Sequence, residues 1–201
     1  MTSSRSRRRP NAAPAPSSPL DVARQHLLDA DLMGLGQEDA RQQILAFCDD
    51  HPAALVRSCL EGHLTGSGVV VDPSRRAALL IHHRKLGLWL QPGGHADGDG
   101  DLAAVALREA TEETGLDDLA VVTPAIDLDI HSIPERGDEP AHLHLDVRFL
   151  VLAPAGSEPD PDPDETMGAR WVTADDPEGL MASGELRRLV GRALLIADAV
   201  R

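Results

Sequence analysis

The chain has 201 residues, of which 42% are hydrophobic and 26% are charged. This length can bury a core, and the composition excludes a wholly disordered or fibrous chain. Acidic residues outnumber lysines and arginines by 33 to 19, which gives a formal net charge of −14. So acidic a protein is a poor general binder of nucleic acid, because that binding depends on cations that neutralise phosphates. A phosphorylated substrate would need metal ions or a local basic patch beside it.

No segment reaches the roughly 20 consecutive apolar residues that cross a bilayer, and the N-terminus has no apolar secretion signal. We therefore expect a cytoplasmic protein with no membrane partner. The two cysteines, Cys48 and Cys59, are too few for a disulfide framework, and we expect both to be buried thiols. The sequence leaves the oligomeric state open, a homodimer included.

The composition divides the chain into three parts. Residues 1–19 are rich in Ser, Pro, Ala and Arg and are predicted to be a disordered basic tail, because they hold almost no large apolar side chain. Residues 20–61 show helical spacing of apolar residues and are predicted to form a helical N-terminal extension. Residues 62–201 are predicted to form the main domain.

Strand and helix patterns alternate in the main domain without regular βαβ repeats. We therefore expect an α/β fold with a mixed sheet flanked by helices. The predicted elements are strands at 64–71, 77–83 and 86–91, a turn at 92–94, a helix at 101–114, strands at 119–130, 142–152 and 169–172, and a helix at 183–200. Gly115 is placed to end the first of these helices.

The helix at 101–114 carries Glu109, Glu112 and Glu113, which share one face because residues three and four apart are neighbours on a helix. Three carboxylates on one turn supply the oxygen ligands that Mg²⁺ and Mn²⁺ prefer. Just upstream, Gly93 and Gly94 allow the backbone to approach a ligand closely. The pattern predicts a cation site beside a tight turn, although a solvated acidic face would look similar.

The stretch from Gly94 to Leu116 resembles the Nudix box, in which a glycine, a glutamate, Arg-Glu, Glu-Glu and a second glycine recur at fixed spacing. The positions that match are Gly94, Arg108, Glu109, Ala110, Glu112, Glu113, Gly115 and Leu116. The resemblance implies an α/β/α sandwich over residues 62–201. One position departs from the box, because residue 100 is glycine where the pattern has glutamate. Asp99 or Asp101 would have to replace that glutamate after a small loop shift.

The resemblance implies a hydrolase that cleaves a diphosphate linkage in a nucleoside diphosphate derivative or a similar small organic pyrophosphate. Its cofactor would be Mg²⁺ or Mn²⁺, bound by Glu109, Glu112, Glu113 and the backbone carbonyl of Gly94. Arg108 would orient one of the glutamates. The alternative is a Nudix-like module that binds or senses a nucleotide metabolite without cleaving it. A small-molecule diphosphate is the expected partner in both cases, and nucleic acid is not expected.

The general base is left open between Glu109 and two carboxylates of a later acidic loop, Asp164 and Glu165. Isomerisation of a prenyl diphosphate is disfavoured, because no cysteine lies beside the box to protonate an alkene.

Histidines form the second notable set. His142, His144 and Asp146 alternate along a predicted strand, so all three should share one face. That face could line the substrate cleft, bind an additional metal, or be an ordinary exposed surface. The candidate substrate contacts are His95, Arg84, His142 and His144. His63 and His131 are expected to be structural.

Overall fold

The computed structural model describes residues 18–137, 140–164, 166–176 and 178–200. Residues 1–17 of the tail predicted at 1–19 therefore lie outside the described residues, as do Glu165 and Arg201, while Ser18 and Pro19 of that tail belong to the start of α1. The elements, in chain order, are α1 (Pro19–Asp29), α2 (Gln37–Asp50), β1 (Gly62–Asp72), β2 (Ala77–His83), β3 (Leu88–Leu90), β4 (Gly93–His95), α3 (Leu102–Thr114), β5 (Ala120–Ile133), β6 (His142–Leu152), β7 (Thr166–Val172) and α4 (Gly184–Ala199). No helix within these ranges is both long and apolar enough to span a bilayer.

The strands join in one sheet with β1 near its middle. Five of them follow the order β3-β2-β1-β6-β5, while β4 pairs with β1 and β7 pairs with β2. β1 and β6 are parallel from the Gly62–Leu143 pair to the Val71–Leu152 pair, and the other pairings are antiparallel. The sheet is therefore mixed, and helices flank it, which confirms the predicted fold class.

Alternation along β1 assigns its residues to two layers. Val70 packs in a cluster with Ala110 of α3, whereas Val69 and Val71 pack in a cluster with Leu189 of α4. Side chains that alternate along a strand point to opposite faces of the sheet. The helices α3 and α4 therefore cover opposite faces, and this sandwich buries every residue of β1.

The N-terminal helices pack on the α3 side of the sheet. Ser18 caps α1, because its hydroxyl oxygen accepts a hydrogen bond from the backbone N–H of Asp21. Leu27 of α1 and Ile44 of α2 are fully buried in the same cluster as Phe149 of β6. The helical N-terminal extension thus contributes to the core beneath the sheet.

The main difference from the predicted elements is β4. The Gly-Gly pair was expected to form a turn, but Gly93, Gly94 and His95 pair antiparallel with Ser67, Gly66 and Thr65 of β1. The pairing with β1, which is distant in sequence, determines the strand conformation here, because a Gly-Gly pair taken alone favours a turn. β4 runs alongside β1 just before α3 begins, and this placement organises the candidate site.

Candidate active site

α3 begins and ends at residues that suit helix termini. The Asp101 carboxylate accepts a hydrogen bond from the backbone N–H of Ala104, and Gly115 closes the helix with a φ of 65°. On the last turns of this helix, Glu112 is exposed, while Glu109 and Glu113 are partly buried. The helix thus presents one open carboxylate and two that face the sheet.

Both partly buried glutamates meet the glycines of β4. The backbone N–H of Gly93 donates to Oε2 of Glu113 at 2.9 Å. A Cβ on Gly94 would overlap the carboxylate of Glu109, so a side chain at this position would displace that group. The structure therefore brings together Gly94, Glu109 and Glu113, three of the four residues predicted to hold a metal. Glu112 lies on the same helical turn.

Arg108 lies at the rim of this carboxylate group. Its Nη2 donates to Oε1 of Glu109 at 2.9 Å, and the same nitrogen lies 3.5 Å from the carbonyl oxygen of His95. The side chain of Glu109 is 19% exposed, so this ion pair is partly shielded from water. Arg108 is thus placed to fix the orientation of one glutamate and to tie it to β4.

Five histidine rings gather on the face of the sheet opposite α3, those of His63, His95, His131, His142 and His144. The ring centroid of His63 lies 4.9 Å from that of His95, 4.9 Å from that of His142 and 5.0 Å from that of His144. The rings of His95 and His144 are 4.9 Å apart. The strand register explains the group, because His63 is the partner of His144 in the parallel β1–β6 pair.

Burial keeps one ring of this group neutral. Burial lowers the pKa of His144 to about 3, and the neighbouring rings of His95, His131 and His63 contribute to the same shift. His144 is therefore uncharged at neutral pH, with one ring nitrogen available as an acceptor or ligand.

A buried ion network lies beside the histidines. The Arg148 guanidinium binds Asp146 at 2.8 Å, Asp129 at 2.8 Å and Asp127 at 3.2 Å. Burial alone would lower the pKa of Arg148, but the three carboxylates outweigh it and hold the pKa above its ordinary value. The hydroxyl of Thr65 also donates to Asp146 at 2.8 Å. These buried charges are thus paired and hydrogen-bonded, as burial requires.

A family model described as NUDIX domain matches residues 62–190, which is more than half of the chain. The chain belongs to the Nudix family. The identification made from Gly94 to Leu116 is therefore confirmed, and the carboxylate turn on α3 is the box of a Nudix domain.

Solved Nudix structures share the fold at low sequence identity. A Nudix-family hydrolase from Clostridium perfringens is 21% identical, with a TM-score of 0.50 over 67% of this chain and 97% of that one. The dihydroneopterin triphosphate pyrophosphohydrolase of E. coli is 16% identical, with a TM-score of 0.56 over 66% and 95%. A C. elegans Ap4A hydrolase in a binary complex is 15% identical, with a TM-score of 0.52 over 68% and 98%. These likenesses establish the Nudix fold.

The N-terminal helix accounts for the departure of this Nudix box at Gly100. A Cβ at Gly100 would overlap the backbone carbonyl of Pro19, the first residue of α1. His26 of α1 also lies 3.2 Å from the Asp101 carboxylate, which accepts the N-cap bond of α3. Asp99 in turn accepts from the backbone N–H of Asp101. The N-terminal extension therefore occupies the space that a glutamate side chain at position 100 would need. Asp99 and Asp101 both already accept backbone hydrogen bonds at the start of α3.

The predicted substrate contact Arg84 lies at the end of β2. Its Nη2 donates to the carbonyl oxygens of Pro163 and Thr166, which flank the end of the acidic loop. That loop packs on the end of the box helix, because the backbone N–H of Asp160 donates to the carbonyl oxygen of Thr114. Asp164 is exposed. Arg84 is thus bound to the acidic loop, and the last two residues of this loop in the sequence, Asp164 and Glu165, are two of the three candidate bases.

His63 and His131 were both expected to be structural and were left out of the candidate set. The register of β1 and β6 places His63 among His95, His142 and His144, and the register of β5 and β6 pairs His131 with His144. His63 is the second residue of β1 and lies one position before the strand predicted at 64–71. Only the parallel pairing of two strands about 80 residues apart shows which histidines it meets.

Proposed function

We propose that this Nudix hydrolase cleaves the diphosphate linkage of a nucleoside diphosphate derivative or a similar small organic pyrophosphate, with Mg²⁺ or Mn²⁺ as its cofactor. The observation that carries the proposal is the contact between the glutamates of one helical turn and the glycines of β4. Two of the structural neighbours are named as hydrolases of Ap4A and of dihydroneopterin triphosphate. Nudix hydrolases generally need divalent cations.

The donor atoms of the site fit a hard cation. Glu109, Glu112, Glu113 and the carbonyl of Gly94 offer only oxygen, the donor that Mg²⁺ and Mn²⁺ take in proteins. When bound, such a cation neutralises diphosphate charge and lowers the pKa of a coordinated water. It would also reduce the electrostatic repulsion between an anionic substrate and a protein whose formal net charge is −14.

The side chains of this chain prepare the site for that cation. Arg108 holds the carboxylate of Glu109, and the N–H of Gly93 holds Glu113, so two ligands are oriented before binding. Glu112 is exposed and free to turn towards an incoming ligand. Orienting contacts of this kind commonly contribute 10- to 100-fold to metal affinity or activity.

Substrate contact and proton transfer complete the proposal. We assign substrate contact to His95, Arg84, His142 and His144. The base that activates water remains Glu109, Asp164 or Glu165, since a base must reach its water at hydrogen-bond distance.

The proposal is tested with the purified protein and a panel of nucleoside diphosphate derivatives and small organic pyrophosphates, each with and without Mg²⁺ or Mn²⁺. We expect metal-dependent turnover of at least one compound, and a loss of at least about 100-fold in Glu112→Gln and Glu113→Gln. Glu178→Gln, which changes an exposed glutamate outside α3, is the matched control and should retain activity.

Two outcomes would overturn the proposal. One is the absence of metal-dependent turnover across the panel, and the other is full activity in both box variants. Calorimetric binding of a panel compound with no product by chromatography would instead support a module that binds its ligand without cleaving it.

A further inference from the structure

A second group of candidate ligands lies on the face of the sheet opposite the box helix. His63 of β1, His95 of β4 and His144 of β6 each offer a ring nitrogen, and these three atoms all lie within 4.8 Å of one another. Each histidine comes from a different strand, so the sheet itself fixes the spacing. Among the described residues, Nε2 of His144 is buried and has no hydrogen-bond partner.

We propose that His63, His95 and His144 form a binding site for a borderline transition-metal cation, with Zn²⁺ or Co²⁺ as the expected occupant. Imidazole nitrogen suits these metals, whereas Mg²⁺ prefers oxygen. Bonds of about 2.1 Å place the nitrogens of a tetrahedral site roughly 3.4 Å apart, so small ring rotations close the group. Three protein ligands leave a fourth position for water or for an anionic group of the substrate, so the substrate contact proposed for His95 and His144 would be made through the bound cation.

The surrounding charges favour a cation at this place. Beside the histidines, Asp127, Asp129 and Asp146 carry three negative charges against the two guanidiniums of Arg148 and Arg188. The local sum is negative.

This site is distinct from the box. Gly94 faces α3 and the carboxylate of Glu109, while His95 is the register partner of Thr65, whose hydroxyl binds Asp146 on the opposite face. Alternation along β4 therefore directs neighbouring residues to different sites. The box offers oxygen ligands and the three histidines offer nitrogen ligands. The preference of a cation for oxygen or for nitrogen therefore indicates which of the two sites it occupies.

The experiment titrates the chelator-treated 201-residue protein with Co²⁺ and with Zn²⁺. Calorimetry counts the sites, and visible spectroscopy reports ligand geometry, because tetrahedral Co²⁺ absorbs far more strongly than octahedral Co²⁺. We expect one tight equivalent with the tetrahedral spectrum in the wild-type protein and in the Glu112→Gln, Glu113→Gln double variant. His95→Gln and His144→Gln should weaken this equivalent at least about 100-fold.

The control is His51→Gln, which changes a histidine at the end of α2 and should bind like the wild-type protein. Thermal melting shows whether each variant is folded, and His95→Gln, at a partly buried position, supplies the result where His144→Gln does not fold. Unchanged binding in a folded histidine variant, loss of the tetrahedral spectrum in the box variant, or no tight Zn²⁺ or Co²⁺ binding by the wild type would each overturn the proposal. None of these measurements depends on turnover, so they stand apart from the proposed hydrolysis.

Discussion

The first half of β1 presents two unlike faces, and each belongs to a different site. On one face, Leu64 and Gly66 lie against the core and α3. On the other, His63, Thr65 and Ser67 lie against the histidines and the buried ion network. One strand with alternating side chains therefore supports both a carboxylate turn and a polar cluster.

The packing of the two faces of β1 has different requirements; the face towards α3 is called the α3 face below, and the face with the histidines and the ion network is called the polar face. The α3 face depends on the absence of side chains, because the glycines allow the box helix to approach the sheet. The polar face depends on the presence of partners, because each buried charge is neutralised by another. Adding atoms should therefore damage the first face, and removing partners should damage the second.

The largest effect on stability is expected from Arg148→Met. The side chain of Arg148 is 8% exposed and neutralises Asp127 and Asp146, which are buried. Its removal leaves Asp146 without a guanidinium partner, while Asp127 keeps Arg188, and the free energy of unfolding should fall by about 3–5 kcal/mol. Urea denaturation measures the change.

The matched control for Arg148→Met is Arg57→Gln. Arg57 pairs with Asp97, but its side chain is 58% exposed, so the loss should not exceed about 1 kcal/mol. Equal losses in the two variants would show that the polar face does not depend on neutralisation of buried charge.

A smaller effect is expected from Gly66→Ala on the opposite face. The added Cβ would lie 2.7 Å from the backbone carbonyl oxygen of Leu102 and 3.1 Å from Val105. Because backbone cannot rotate away, the free energy of unfolding should fall by about 1–3 kcal/mol. Gly191→Ala in α4 is the control, since its Cβ meets open space and alanine favours a helix by roughly 0.5–1 kcal/mol. A neutral result for Gly66→Ala would mean that α3 is less tightly seated than the structure indicates.

The α3 face could be predicted from the sequence to a large extent, because its signals are local. The spacing of Glu109, Glu112 and Glu113 and the terminating Gly115 lie within a few residues of one another. They predict both the helix and its carboxylate face without knowledge of the rest of the chain. The Nudix pattern adds Gly94 to this group.

The polar face could not be predicted to the same extent, because its neighbours come from distant strands. The alternation of His142 and His144 predicts a shared face, but nothing near His63 in the sequence indicates the parallel pairing that brings it there. Gly100 is a similar case. Its meaning depends on Pro19, which is 81 positions earlier and docks only in the folded chain.

The smallest effect on stability, and the sharpest test of the α3 face, is expected from Gly94→Ala. The added Cβ would meet the carboxylate of Glu109, which is the end of a flexible side chain, so the free energy of unfolding should change by less than about 1 kcal/mol. Turnover should nevertheless fall roughly 10- to 100-fold, because the carboxylate is displaced from its oriented position. Steady-state kinetics and urea denaturation on the same protein separate the two effects.

A double-mutant cycle identifies the cause of that loss. If Gly94→Ala acts by displacing Glu109, then it should have little further effect on turnover in a Glu109→Gln background, because the group it displaces is already impaired. Additive losses would place the cause elsewhere, for example in the backbone carbonyl of Gly94. Gly66→Ala and Gly94→Ala then differ for one physical reason: the first added methyl meets backbone that must move as a unit, and the second meets a side chain that can turn aside.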